Sequence, residues 1–300
     1  MRSLLLLCFT FVFHHVCISQ TVIQITDNTL IPEGIAIDPR NGNIYISSIA
    51  KQKIIKVNSN KITSDFIKEG EHDFLEGLGM KVDTKTNTLW CLSNKATGKW
   101  FTSQIHGFDL DSRKVKYHHS FKDTIPHLLN DLVLDNDGNL IITDTYFSSL
   151  YKFYPYTNKL DLLLKTPQIK YPNGLAFGKN KILYVASYGT GLLKIDLNAK
   201  TIKPLKGFSD SLIAFGLDGL MYKDGLLYGV YNAGKGKETD AVIKYTLDEN
   251  SGRVLSENII DKGNAHFFDP TTAGIYKNKL YVIANSHLDQ FNKIKNLLRG

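Results

Sequence analysis

The chain has three cysteines in 300 residues, and two of them, Cys8 and Cys17, fall in an apolar stretch at its start. Loss of that stretch leaves Cys91 alone, which excludes an internal disulfide and a cysteine-ligated structural zinc site. Cys91 lies in "NTLWCLSN", a strand-like run where cysteine serves as a small hydrophobe, not a nucleophile. Arginine, the usual reader of bases, occurs five times, and the lysines behind the net charge of +7 are scattered, as at Lys51, Lys53, Lys179 and Lys181. No basic stripe forms, so nucleic acid is not an expected partner. A Gly-x-Ser-x-Gly elbow is missing, which argues against a serine hydrolase of that type. The glycines of "SYGTG" at 187–191 have no helix after them, so they form no phosphate loop. No pair of histidines has zinc spacing. Linkers and low-complexity tracts are also missing, which leaves room for one large domain.

The start of the chain is compositionally separate. "MRSLLLLCFTFVFHHVCIS" has one basic residue, then an apolar run, then small residues at Cys17 and Ser19. That is the layout of a secretory leader. The run is short for a membrane span and is broken by His14 and His15. Lipid attachment at Cys8 or Cys17 is disfavoured by the bulk of Leu7 and Val16 before them. Residues 1–19 are therefore expected to be removed, and residues 20–300 to form a single domain. That domain is expected to be secreted or periplasmic and monomeric, with no membrane partner.

What the chain does contain is a repeat. "PEGIAIDPRNGNIYISS" begins at Pro32, "LEGLGMKVDTKTNTLWCLSN" at Leu75 and "LNDLVLDNDGNLIITDT" at Leu129. "YPNGLAFGKNKILYVASYGTG" begins at Tyr171, "LDGLMYKDGLLYGVYN" at Leu217 and "FDPTTAGIYKNKLYVIANS" at Phe268. Each has an apolar strand, a turn rich in Asp, Asn, Gly or Lys, and a returning strand rich in Ile, Leu, Tyr and Val. Further strand-like segments such as "KIIKVNSNKITSDF" follow. The units recur every 43 to 54 residues, which with about four strands each is the signature of a propeller blade. The expected fold is an all-β, six-bladed propeller of four-stranded antiparallel blades. The lone strand-like segment "TVIQITD" at 21–27 is expected to close the ring on the sixth unit, the C-terminal tail being the alternative.

In a propeller the first strand of each blade lines the central channel, so the residues opening those strands converge on one mouth. By the repeat these are Glu33, Glu76, Asn130, Asn173, Asp218 and Asp269. Asn-Gly and Asp-Gly are also turn formers, but Glu is not a preferred turn residue. Carboxylates crowded at one mouth would repel one another without a cation. Carboxylates mixed with amide oxygens are ligands for calcium, with magnesium and manganese as alternatives.

"PEGIAID", "ND" at 130, "PNGLAF" around 173 and "LDGL" at 217–220, in this order, resemble the regucalcin and gluconolactonase family of six-bladed propellers, distant kin of the paraoxonases and strictosidine synthases. The resemblance covers the whole mature chain. It implies a divalent metal, usually calcium, held by Glu33, Asn173 and Asp218, with Asn130 close to metal, water or substrate. It also implies hydrolysis of a lactone or related ester, with the metal polarising the carbonyl and Asp218 suggested as base. Two departures stand out. The lactonases have arginine two residues before the "ND" asparagine, where this chain has Leu128. Glu76 and Asp269 have no obvious match in them, and Glu76 stands where the paraoxonase type has a histidine.

Returning strands reach the same mouth, and their ends supply an outer set of candidates that includes Tyr188, Asn232 and His287. Glu76, Asp269, Tyr188, Asn232 and His287 are taken as substrate-binding, and Asp218 and Asn130 as catalytic. Histidine is the side chain suited to proton transfer near neutral pH, which makes His287 a candidate to move protons. Three functions meet these features: a calcium-dependent hydrolase, a ligand- or protein-binding propeller with a structural calcium, and a metal-free scaffold with similar repeats. The scaffold has no need of oxygen donors at six anchors. Intact-mass measurement of exported protein is expected to give a new N-terminus near Gln20; a mature chain still beginning at Met1 would contradict the leader.

Overall fold

Each repeat starts with a strand that is buried on both faces and ends with one that is half exposed. "PEGIAI" is almost wholly buried, whereas alternate positions of "VKYHHSFKD" reach solvent. Stacking such units edgewise around an axis buries the first strand of every blade and leaves the last at the rim. A computed structural model has this arrangement and describes residues 21–27, 29–209, 215–233, 238–288 and 291. The expected leader, 1–19, and the basic C-terminal tail lie outside the described residues.

Five four-stranded antiparallel blades follow one another. The first holds β1 (Pro32–Ile37), β2 (Ile44–Ser48), β3 (Lys53–Val57) and β4 (Thr63–Ile67). The second holds β5 (Glu76–Asp83), β6 (Thr88–Thr97), β7 (Trp100–Asp109) and β8 (Val115–Asp123). The third holds β9 (Leu129–Leu134), β10 (Leu140–Asp144), β11 (Ser149–Tyr154) and β12 (Lys159–Lys165). The fourth holds β13 (Pro172–Phe177), β14 (Ile182–Ser187), β15 (Gly191–Asp196) and β16 (Thr201–Pro204). The fifth holds β17 (Leu217–Lys223), β18 (Leu226–Tyr231), β19 (Ala241–Asp248) and β20 (Arg253–Lys262).

The sixth unit differs from expectation. It is a two-stranded sheet of β21 (Ala273–Tyr276) and β22 (Lys279–Val282), so the described residues form five full blades, not six. The segment at 21–27 is not a strand either. Thr29 donates from both its amide and its hydroxyl to the Asp27 carboxylate, a local turn that competes with a ladder. The segment nevertheless lies at the seam. Ile23 and Ile25 pack on a cluster that joins Ile35, Ile44 and Ile55 of the first blade to Ile283 after β22.

Side chains of one blade bond the next all the way round, to its backbone at every seam except that between the fourth and fifth blades. The Ser47 hydroxyl donates to Leu78 O at 2.7 Å. Asn94 donates to Leu129 O and accepts from Leu129 N, both at 2.9 Å. Thr143 and Thr145 donate to Asn173 O and Pro172 O at 2.8 and 2.7 Å. Tyr188 donates to the Asn232 side chain, which in turn donates to Pro270 O. Thr271 then donates to Glu33 O at 3.0 Å, so the short sixth sheet still closes the circle. Asn94 is bonded three times, since the Ser103 hydroxyl also donates to it at 2.8 Å. Asn94→Ala orphans two buried groups of Leu129 and is expected to cost about 2–3 kcal/mol in urea unfolding; a change below about 0.5 kcal/mol would show that these bonds do not hold the ring.

Candidate functional site

The inner strands are not regular, and their irregularity builds the site. In each of the five full blades, two residues of the inner strand are skipped by the ladder with the second strand. The skipped pairs are Glu33–Gly34, Leu78–Gly79, Asn130–Asp131, Asn173–Gly174 and Asp218–Gly219. Such a bulge bends the strand and re-aims a side chain. Thr271 and Thr272 occupy the same place in the sixth unit, just ahead of the first ladder pair, Ala273 with Val282. The second bulged residue must be small where blades touch. A Cβ on Gly34 would lie 2.0 Å from Leu78 O, and one on Gly79 would lie 2.5 Å from Asn130 O.

The first bulged residues are thus Glu33, Leu78, Asn130, Asn173, Asp218 and Thr271. Four of them, Glu33, Asn130, Asn173 and Asp218, line one small cavity on the axis together with Lys81, Asp131 and Thr272. All four are buried. The cavity measures about 20 Å³, room for a single water-sized sphere. Glu76 and Asp269 are not part of its lining. Each stands two residues ahead of the bulge of its blade, where Leu78 and Thr271 take the anchor place, so the expected ring of six oxygen donors contracts to four side-chain amides and carboxylates.

The electrostatics of the cavity are unfavourable as it stands. Burial, and then the nearby charges of Asp218, Asp269 and Asp131, raise the Glu33 carboxyl well above the usual range. Its Oε2 is buried with no hydrogen-bond partner. Burial likewise pushes Asp218 up to about 7, against the stabilising hydrogen bonds of Asn232, Tyr188 and Asn173. Asp131 is also raised by burial, with Lys81 opposing the shift. Among the described residues, no three His, Cys, Asp or Glu side chains group as a metal site; the set here is two carboxylates and two amides. An orphaned carboxylate oxygen, hard donors and a one-atom cavity fit a divalent cation such as calcium.

The other expected residues support this group or lie outside it. The Asn232 amide donates to Asp218 Oδ2 at 2.6 Å and accepts from the Tyr188 hydroxyl at 3.1 Å. Both therefore hold Asp218 instead of standing in an outer ring. Asn130 donates to the Thr145 hydroxyl at 2.9 Å, which fixes the orientation of its amide. His287 packs on Phe268 with ring centroids 5.0 Å apart, and its buried Nδ1 has no hydrogen-bond partner. Asp144, fully buried, accepts from Leu128 N at 2.9 Å and lies 2.5 Å from His127 Nδ1, tying down the approach to Asn130. Sequence reasoning did not single out Leu78, Asp131 and Thr271. The signal for Leu78 was present as the second glycine of "EGLG", whereas "DPTTAG" has no glycine at the bulge to mark Thr271.

Residues 31–248 match the family model of the SMP-30/Gluconolactonase/LRE-like region. No curated protein is matched. Among solved structures, the fold is similar to a gluconolactonase from Xanthomonas campestris, with TM-score 0.61 and 17% identity over 87% of this chain and 85% of that one. It is also similar to an aldose sugar dehydrogenase from Streptomyces coelicolor, with TM-score 0.62 and 12% identity over 87% and 89% of the two chains. A chain of a nidogen/laminin complex gives TM-score 0.58 and 17% identity over 76% and 80%. At these identities the likeness establishes the fold.

The raised carboxyl of Asp218 has a consequence for stability. Between its ordinary value of 3.8 and about 7 the folded chain binds more protons than the unfolded one, so this group's contribution falls as pH rises. In chelator, Asp218→Asn is expected to gain stability relative to wild type on going from pH 5 to pH 8, as read by urea unfolding. A difference between the two proteins that does not move with pH would contradict the electrostatic account.

Proposed function

The chain belongs to the SMP-30/gluconolactonase/LRE-like family, and on that footing we propose that it is a calcium-dependent hydrolase of a lactone or related ester, exported after loss of residues 1–19. The observation that carries the reading is the buried Glu33 Oε2 without a partner beside Asp218, Asn130 and Asn173 around a cavity of atomic size. These four residues would hold the ion. When bound, it supplies Lewis acidity toward a substrate carbonyl and lowers the pKa of water.

The chain's own part in the reaction centres on Asp218. Asn232 donates to Asp218 Oδ2 and is itself held by the Tyr188 hydroxyl, so the carboxylate is fixed in orientation and would accept a proton from an attacking water. The water oxygen bonds to the carbonyl carbon, the C–O bond of the lactone or ester breaks, and the proton passes to the departing oxygen to give a hydroxy acid, or an alcohol and an acid. Asn130, its amide nitrogen engaged by Thr145, would offer its oxygen to the ion. Glu76 and Asp269, two residues further out, contact the body of the substrate and not the reacting bond.

Rates at saturating calcium test the division of roles. Asp218→Asn is expected to lower kcat by about 10²- to 10⁴-fold, the ordinary worth of a general base, while Glu76→Gln is expected to change KM with kcat largely kept. Full turnover in Asp218→Asn would remove Asp218 as base. No turnover of any lactone or aryl ester by calcium-loaded wild type would favour a ligand-binding propeller with a structural ion.

A further inference from the structure

A second group of polar and aromatic side chains lies away from the axis, between the outer strand of the second blade and the outer strands of the third. His119, Phe121 and Asp123 alternate along β8 and so share one of its faces. With His127 from the loop before β9, Tyr151 of β11 and Leu160 of β12, they line a cavity of about 240 Å³. None of them lines the axial cavity.

The polar end of this cavity is built on Asp144. Its side chain is fully buried, and its Oδ1 accepts from Leu128 N at 2.9 Å and from Phe147 N at 3.1 Å. Its Oδ2 lies 2.5 Å from His127 Nδ1, so Nδ1 carries the proton of that bond and Nε2 is the nitrogen turned to Asp123. The His127 side chain is only 4% exposed, and Nε2 stands 3.8 Å from Asp123 Oδ2, beyond hydrogen-bond reach. Asp123 Oδ1 is taken by the amides of Thr124 and Ile125 at 2.6 and 3.0 Å. Oδ2 is the oxygen left facing the histidine.

The walls are rings in mutual contact. Phe121 stands edge-on to His127, with centroids 5.0 Å apart and planes at 88°. Tyr151 lies 6.5 Å from both of them, and Phe147 packs on His127 at 4.7 Å and on Tyr151 at 6.5 Å. Burial, and then the charges of Asp144 and Asp123, push the Tyr151 hydroxyl up to about 12, so the field at this wall is negative. The ring cluster already takes one positive charge. Lys165 Nζ lies 3.0 Å from the Phe147 centroid, and Lys165 is not part of the cavity lining.

We infer that this cavity binds a primary ammonium ion carried on a small aryl or alkyl body. A carboxylate oxygen and the Nε2 of a neutral imidazole are both acceptors. At 3.8 Å they stand close enough for one ammonium group to donate to each. The π systems of Phe121 and Tyr151 attract the same charge, and these rings with Leu160 cover the apolar body. An anion would instead meet two carboxylates. The inference depends neither on the axial ion nor on the hydrolase reading.

Calorimetric titrations of the mature protein at pH 8, where an ordinary histidine is neutral, test it with phenethylamine, phenethyl alcohol and phenethyltrimethylammonium. The amine is expected to bind once per chain. The alcohol, which lacks the charge, and the trimethylated ion, which lacks N–H donors, are each expected to bind about tenfold more weakly. Asp123→Asn keeps the oxygen that Thr124 and Ile125 use and is expected to weaken the amine by about tenfold. Glu33→Ala, in the axial cavity, and Asp65→Asn, an exposed carboxylate of the first blade paired with Lys53, are expected to leave it unchanged. Amine binding that is absent, undiminished by Asp123→Asn, or lost in Glu33→Ala or Asp65→Asn overturns the inference. So does an alcohol or a trimethylated ion that binds as tightly as the amine, since an apolar slot or a bare ring cage would then suffice.

Discussion

The hydroxyl of Thr271 on the carbonyl of Glu33 is the last of a circle of hydrogen bonds, and the site depends on that circle being complete. A propeller sheet has no edge-to-edge ladder between blades, so the backbone groups freed by each bulge need partners from elsewhere. Ser47, Asn94, Thr143, Thr145, Asn232 and Thr271 supply them from the ends of neighbouring units, and Tyr188 holds Asn232. Each bond fixes how far one inner strand stands from the next. The close approach of Gly34 and Gly79 to neighbouring carbonyls is the steric counterpart of the same spacing. Four side chains from four different blades thereby reach one small cavity without a loop having to place them.

That convergence carries an electrostatic cost which the fold does not relieve on its own. Glu33 and Asp218 are both buried, burial raises both carboxyls, and the charge of Asp218 raises Glu33 further. Asn232 and Tyr188 stabilise the charge on Asp218, but nothing among the described residues bonds Glu33 Oε2. An assembly that ties its blades together with buried hydrogen bonds and leaves a carboxylate oxygen bare at its centre has the arrangement expected of a cage for a charge of opposite sign.

Much of this was readable from the chain because the signals are local. Turns such as "DPRNG" and "DNDG" mark blade hairpins by their own chemistry, and the residue-glycine pairs at 33, 173 and 218 mark bulges that the structure confirms. Glu76 was misplaced because "LEGLG" has two glycines two residues apart, and a shift of two leaves every side chain on its original face. Only the contact between Gly34 and Leu78 O, which is not local, decides between them. Asp269 was misplaced for want of a glycine in "DPTTAG". The incomplete sixth blade was hidden for a similar reason. "VIQIT" alternates like a strand, but pairing requires a partner edge, and the turn at Asp27 and Thr29 sets these residues on the seam as apolar packing only.

The central claim is that the bulged inner strands form a cage for one divalent cation, and calorimetric titration of calcium into chelator-treated mature protein near neutral pH tests it most directly. The account predicts one ion per chain, with binding lost in Glu33→Ala, which removes the orphaned carboxylate without touching the ring bonds. Absence of binding by wild type, or undiminished binding by Glu33→Ala, would contradict it.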